Sequence, residues 1–205
     1  VRPFADKMGI KRSMVRDAST PGTVPFSDLM TAAPSADLPT TDIHTDDDMA
    51  VMYTSGSTGH PKGVVQTHRG ALSAVLSWLM GGRVAEVMGT APEPPADEHG
   101  EPYQVCGLIT TPMFHVSATH ACFLVGLASA AKIVMMYKWN ARQAVELIER
   151  ERASRFFGVP TMSADLVQAA SEMGATLDTL RSVEAGGAKR PAAQVGEIAK
   201  AVPHA

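Results

Sequence analysis

The sequence is poor in cysteine, in clustered positive charge and in uninterrupted apolar runs, and each shortage removes a class of function. Its two cysteines, Cys106 and Cys122, lack the C-x-x-C spacing of a zinc or redox site, so both are expected as small core residues in a reduced, cytoplasmic setting. Seven histidines are present, yet His115 and His120 lie about 140° apart around a helix, unlike an i, i+4 zinc pair, and no metal ligand is expected. A net charge of −3 with a pI near 6.2 gives no footprint for nucleic acid, so anionic ligands must be met by local groups. The longest apolar stretch, around 118–136, is broken by His120, Ser129 and Lys132 into helix, turn and strand rather than one membrane span. The first residues, Val1-Arg2-Pro3-Phe4-Ala5-Asp6, lack an initiating Met and a signal-peptide layout, which reads as a segment excised from something longer.

What is present begins with 45% apolar residues, enough for a sizeable core. The most informative stretch runs from Tyr53 to Thr67. Glycines at 56, 59 and 63 let the backbone turn through positive φ and approach a ligand without a Cβ in the way. Hydroxyls on Thr54, Ser55, Ser57 and Thr58 add adjustable donors, and Lys62 adds a point charge suited to phosphate oxygens. A Walker A loop would need Gly at 61 and Ser or Thr at 63, where this chain has Pro61 and Gly63, which argues against a GTPase or P-loop kinase. A plain Gly/Ser/Thr turn between strands would explain the glycines but not the hydroxyl run together with Pro-Lys-Gly.

The pattern along the chain predicts α/β rhythm. Residues 1–47 read as irregular lead-in with one short helix, Pro25 to Thr31, carrying Phe26, Leu29 and Met30 on one face. Asp46-Asp47-Asp48 reads as a solvated acidic run rather than a cation site. Met49 to Thr54 is expected as a buried strand and Val64 to Gln66 as its return. Thr67 is expected to cap a helix from His68 to Met80, with Leu72, Val75, Leu76 and Leu79 as its apolar stripe, Gly81-Gly82 weakening or ending it, and Trp78 packing. Residues 89–104 read as an exposed, mobile insertion without chemistry. Beyond it the pattern predicts a strand from Val105 to Thr110 and a helix from about Ser117 to Leu127. A strand from Lys132 to Met136 and a helix from Ala141 to Glu151 capped by Asn140 come next. Strand Arg155 to Gly158, helix Pro160 to Ala170, strand Leu180 to Ala185 and helix Pro191 to Ala201 follow. His115 is compatible both with capping a helix start and with a site role. Met113, Val116, Val159 and Met162 suggest an apolar lining.

Tyr53-Thr54-Ser55-Gly56-Ser57-Thr58-Gly59-His60-Pro61-Lys62-Gly63 resembles the signature loop of the adenylate-forming (AMP-binding) superfamily, which includes acyl-CoA synthetases and peptide-synthetase adenylation domains. Three further segments resemble the same family: Pro112-Met113-Phe114-His115, Val159-Pro160-Thr161, and Gly186-Gly187-Ala188. At the last, Ala185 replaces the family's Ser and Lys189-Arg190 its Pro-Leu. The resemblance implies an internal part of the large N-terminal domain of layered αβαβα type, with the C-terminal lid domain absent. It implies that Thr54, Ser55, Gly56, Ser57, Thr58, Gly59 and Lys62 hold the β- and γ-phosphates of ATP, that Gly186, Gly187 and Ala188 meet adenine and border the acyl pocket, and that His115 shapes the acyl and thiol channel. Lys62 and His115 are thus the expected catalytic residues. The implied reaction joins a hydrophobic or fatty carboxylic acid to AMP and then to coenzyme A, with Mg2+ held by a carboxylate expected beyond Ala205. The 205 residues are expected to lack turnover alone; a peptide-synthetase adenylation domain and a noncatalytic nucleotide-binding module are the alternatives.

Overall fold

The computed structural model describes residues 7–8, 13–14, 23–31, 40–56 and 59–205. Ser57, Thr58 and the Leu29 side chain therefore lie outside the described residues. The chain divides into two units, 1–43 and 44–205. In the first, two-residue strands β1 (Ser13–Met14) and β2 (Val24–Pro25) pair in parallel, and helix α1 (Phe26–Thr31) follows. The helix forms as expected, but Phe26 and Met30 are exposed.

The second unit opens on the His44–Asp47 turn, which is exposed yet ordered. The Asp47 carboxylate accepts the His44 N–H at 2.8 Å, and Asp46 receives Arg69 through both carboxylate oxygens, at 2.7 and 2.9 Å. The acidic run is thus a clamp between the turn and a helix start, and not merely a solvated face. Strand β3 (Asp48–Thr54) then pairs antiparallel with β4 (Lys62–Thr67), Thr54 opposite Lys62 at the mouth. The expected buried strand is corrected here: Val51, Tyr53, Val64 and Val65 are half to three-quarters exposed, because a two-stranded ribbon leaves most of both faces uncovered.

Thr67 caps helix α2 (His68–Val87), its hydroxyl accepting the Gly70 N–H at 3.2 Å and satisfying one of the free amides of the first turn. Two expectations fail on this helix. It runs through Gly81-Gly82, whose Cβ positions face open space, and stops where Gly89 turns to φ +66°. Of the expected stripe Val75 is buried and Leu79 partly so, but Leu72 and Leu76 face outward, and Ala71, outside the stripe, is buried. The small residue seats closer to its neighbours than the leucines flanking it.

A parallel four-stranded sheet forms the rest. Its strands are β5 (Cys106–Ile109), β6 (Lys132–Met135), β7 (Arg155–Gly158) and β8 (Ser182–Ala185), in the order β6-β5-β7-β8. Helix α3 is π-helical over Ser117–Leu124 and α-helical over Val125–Ala128. Helices α4 (Ala141–Glu151), α5 (Pro160–Met173) and α6 (Ala192–Ala201) follow. The chain steps one way from β5 to β6 and the other way from β5's far side to β7 and β8. Right-handed crossovers then place α3 on one face and α4 and α5 on the other, and α3 meets α2 while α4 meets α5. Phe156, Leu108, Ile148, Leu166 and Leu180 build the core on the α4–α5 face, each at most 1% exposed.

Asn140 caps α4 as expected, accepting the Gln143 N–H at 2.9 Å. The 89–104 insertion is exposed but anchored. Asp97 accepts the N–H groups of His99 and Glu101, Arg181 donates to the Glu93 carbonyl at 2.7 Å, and the Arg152 guanidinium lies 4.3 Å above the Tyr103 ring.

Candidate active site

The sheet order fixes where a ligand can sit. Connections leaving β5 and β7 depart to opposite faces, so a crevice opens at their carboxyl ends. The segments that follow those two strands are Pro112–His115 and Val159–Thr161, and Gly186–Ala188 follows β8. Three of the four motif segments therefore converge by topology alone.

Close contacts tie them together. Gly186 donates its N–H to the Gly158 carbonyl at 3.0 Å. A Cβ on Gly186 would lie 3.0 Å from Phe157 Cζ and 3.8 Å from Ser117 Oγ, and one on Gly187 would lie 3.9 Å from Val159 Cγ1. Gly187 has φ +79°, a turn only glycine makes freely. Thr110 stitches the crevice floor, its hydroxyl donating to the Phe157 carbonyl at 2.9 Å. Gly187 and Ala188 themselves are exposed.

The departure from Pro-Leu after this turn has a structural account. Arg190 reaches back beneath the turn and donates to the Val183 carbonyl at 3.0 Å and to the fully buried Ser163 hydroxyl at 3.3 Å. Gln194 donates to the Pro160 carbonyl at 2.5 Å. Side-chain hydrogen bonds thus hold the turn where a proline ring would have stiffened it. The sequence showed Arg190 only as a mismatch.

His115 is exposed, and its ring serves the helix start. Ser117 donates its N–H to His115 Nδ1 at 3.2 Å, and the His115 carbonyl accepts from Ala118 N, Thr119 N and Thr119 Oγ1. With Nδ1 accepting, the proton of the neutral ring resides on Nε2, which is the nitrogen left for a ligand. Both sequence readings of His115 are therefore compatible with its geometry. His120, by contrast, is buried, and burial pushes its pKa below the ordinary histidine value.

The hairpin loop supplies the fourth segment. Gly56 (φ +66°) folds under the His60 carbonyl, which a Cβ would meet at 2.2 Å, and Gly59 has φ +82°. No other residue fits at 56 without reopening the loop. At Gly63 a Cβ would lie 2.8 Å from Val51 Cγ1, so a larger residue there would have to displace the Val51 side chain. Thr54, Ser55 and Lys62 are exposed around this turn, a cradle of backbone and hydroxyl donors plus one cation that suits phosphate oxygens. Among the described residues no hydrogen bond joins the loop to the sheet-end turns; α2 stands between them, in contact with the hairpin and with α3.

The four apolar residues expected to line one pocket do not share one. Met113 faces a recess with Met135, Met136 and Tyr137, Val116 lines a different cleft, and Met162 packs at the core. That cleft, ≈ 660 Å³, lies between α2, α3 and the sheet, and among its walls are Trp78, Gly82, Val116, Ser117, Phe157 and Glu184. Ser117 and Phe157, which the sequence placed in a helix and a strand but not in the site, are what join it to Gly186. Trp78, expected only to pack, is half-exposed on its wall.

A glycine-closed hairpin loop ending on Lys62 and a glycine turn at the carboxyl edge of a parallel α/β sheet are the features that the resemblance to adenylate-forming enzymes implies. The model of the AMP-binding enzyme family matches residues 6–204, and the chain belongs to that family. It is 31% identical over 172 residues to 4-coumarate:CoA ligase 1 of Petunia hybrida, covering 84% of this chain and 29% of that protein. It is 32% identical over 153 residues to 4-chlorobenzoate–CoA ligase of Pseudomonas sp. (strain CBS-3), covering 75% and 26%. The N-terminal domain of FACL13 from Mycobacterium tuberculosis superposes with a TM-score of 0.68 at 27% identity, over 97% of this chain and 45% of that one. A putative long-chain-fatty-acid CoA ligase from Rhodopseudomonas palustris CGA009 shares the fold, with a TM-score of 0.72 at 19% identity over 100% of this chain and 46% of that one. The chain spans roughly a third or less of the length of the curated relatives it matches. Among the described residues no helix is long and apolar enough to cross a membrane.

Proposed function

We propose that this chain forms the phosphate-gripping and acyl-facing part of an AMP-forming acid–thiol ligase. The natural protein carrying it converts a hydrophobic carboxylic acid, ATP and coenzyme A into acyl-CoA, AMP and pyrophosphate in the cytoplasm. A carboxylate oxygen bonds to the α-phosphorus as the bond to pyrophosphate breaks. The thiol sulfur then bonds to the acyl carbon as AMP leaves with the electron pair. Neither step needs a base with a displaced pKa; positioning and charge stabilisation suffice.

Lys62 and the amides around Gly56 and Gly59 hold the β- and γ-phosphates and take up the charge that develops on pyrophosphate. Gly186 and Gly187 present bare backbone to the adenylate, and His115 offers Nε2–H at the channel mouth. Ser57 and Thr58 complete the cradle in this reading. For magnesium the fit fails within these residues: the described ones include no group of three or more His, Cys, Asp or Glu able to hold a metal. Residues 44–205 constitute the functional part of the chain in this proposal.

The observation that carries the reading is the closure of Gly56 onto the His60 carbonyl immediately before Lys62. It gives a loop that only glycine can form and that ends on a cation. Carboxylate-dependent ATP–pyrophosphate exchange by the natural protein is the test. Exchange that vanishes in Lys62→Ala supports it, whereas ATP binding without exchange for any acid would overturn it.

A further inference from the structure

The acidic run at the root of the hairpin forms a joint that takes no part in the proposed reaction. Asp47 closes the 44–47 turn on itself, its N–H donating to the His44 carbonyl at 3.1 Å and its carboxylate accepting the His44 N–H at 2.8 Å. That turn then receives the first amides of α2. His68 donates its N–H to the Asp47 carbonyl at 3.1 Å and Arg69 to the Thr45 carbonyl at 2.7 Å, while Gly70 donates to the Thr67 hydroxyl at 3.2 Å. The Arg69 guanidinium doubles the link. Its Nε donates to Asp46 Oδ1 at 2.7 Å, and its Nη2 donates to Asp46 Oδ2 at 2.9 Å and to Thr45 Oγ1 at 2.7 Å. A fork of this kind fixes direction as well as distance.

What hangs from this joint is long and thinly supported. Among the described residues the β3–β4 ribbon joins no other sheet, and Val51, Tyr53, Val64 and Val65 along it are exposed. Its ladder is irregular between Asp48 and Ala50, immediately beyond the joint. Thr54 ends β3, which begins at Asp48, and six steps of about 3.3 Å put the loop about 20 Å from the root. Over that arm a tilt of about 3° carries Lys62 by about 1 Å, a displacement that can cost about 10²-fold in rate. We propose that Arg69, held by Thr45 and Asp46, is a positioning residue for the phosphate loop: it locks the ribbon to α2 and so sets where Lys62 stands. This rests on the adenylation reading and adds to it the group that aims the loop.

Pyrophosphate exchange by the natural protein tests the assignment. Arg69→Met should lower the rate at saturating ATP and acid by about tenfold and leave KM for the acid within about twofold, because the glycine turn of the sheet is held by other bonds. Its melting temperature should hardly move, since an exposed ion pair adds little to global stability. Arg69→Lys keeps the charge without the fork and should recover only part of the rate. Arg142→Met, which removes a comparably exposed pair with Glu172, should leave the rate as it is. An unchanged rate in Arg69→Met, a full rate in Arg69→Lys, an equal loss in Arg142→Met, or a loss that comes with a fallen melting temperature overturns the proposal. Spin labels at His60→Cys and Met80→Cys, both exposed positions, read the aim of the loop through the width of their distance distribution, which Arg69→Met should broaden. Broadening in a protein that shows no exchange with any acid keeps the clamp and sinks adenylation. Exchange with neither broadening nor loss of rate does the reverse.

Discussion

The two glycine turns of the site are built on opposite plans. The turn at 186–188 is held from beneath by Arg190 on Ser163 and Val183, by Gln194 on Pro160 and by the Phe157 ring. Around the hairpin loop the described residues show Gly56 packed beneath the His60 carbonyl and Lys62 exposed, and no hydrogen bond among them reaches the Lys62 side chain. The held turn is preorganised by its neighbours; under the proposed function, the Lys62 side of the hairpin would take its contacts from ATP. Replacing the exposed Lys62 side chain should therefore act on turnover and spare stability, and substitutions around the turn should act on both.

The largest effect expected from this contrast is at Lys62. Lys62→Ala should slow pyrophosphate exchange by about 10²–10³-fold, the scale of losing one charge-stabilising donor, with an unchanged melting temperature. A destabilised variant would mean that the loop is as fixed as the turn. Arg190→Leu should lower stability by about 1–3 kcal/mol, because it orphans the buried Ser163 hydroxyl and the Val183 carbonyl. Chemical denaturation with an unchanged m-value is the check, and an unaffected midpoint would break the idea of a clamped turn. Gly186→Val should be milder overall, raising KM for the acid by about tenfold as Phe157 and Ser117 yield, with KM for ATP little changed. Equal changes in both would erase the division between the two turns.

The smallest effect concerns the hairpin's base. The Arg69 guanidinium holds the Asp46 carboxyl below its usual value of 3.8. A depressed carboxylate adds stability above its unfolded value and loses it as pH falls through the lowered folded value. Asp46 and Arg69 are 73% and 61% exposed, so solvent and salt screen the gain. Asp46→Asn should remove this small gain at neutral pH and flatten the acid side of the stability profile below pH ~4, where the two proteins converge.

Much of this was legible in residue order because local rules decided it. Thr67 and Asn140 cap where hydroxyl and amide chemistry require, and the β-α alternation gave every strand of the sheet to within two residues or so at each end. The misses came where tertiary packing decides. Of the predicted stripe Val75 is buried, yet Leu72 and Leu76, with the same spacing, face outward while Ala71 takes the contact. Nothing in a one-dimensional pattern says that β7 crosses to the far side of β5, and it is that crossing which brings Ser117 to Gly186. Arg155 and Glu184 are 29 positions apart, and only parallel pairing of their strands makes them neighbours.

The π-helical turns of Ser117–Leu124 add a lever of another kind. A π-turn is an α-turn with one residue too many, so removing a residue after Ser117 would let the helix tighten and rotate Ser117 by about 100° against the rest of α3. The side chain beside Gly186 would then be a different one, with no codon for it rewritten. In this segment the length of the chain, separately from its spelling, sets which side chain stands beside Gly186.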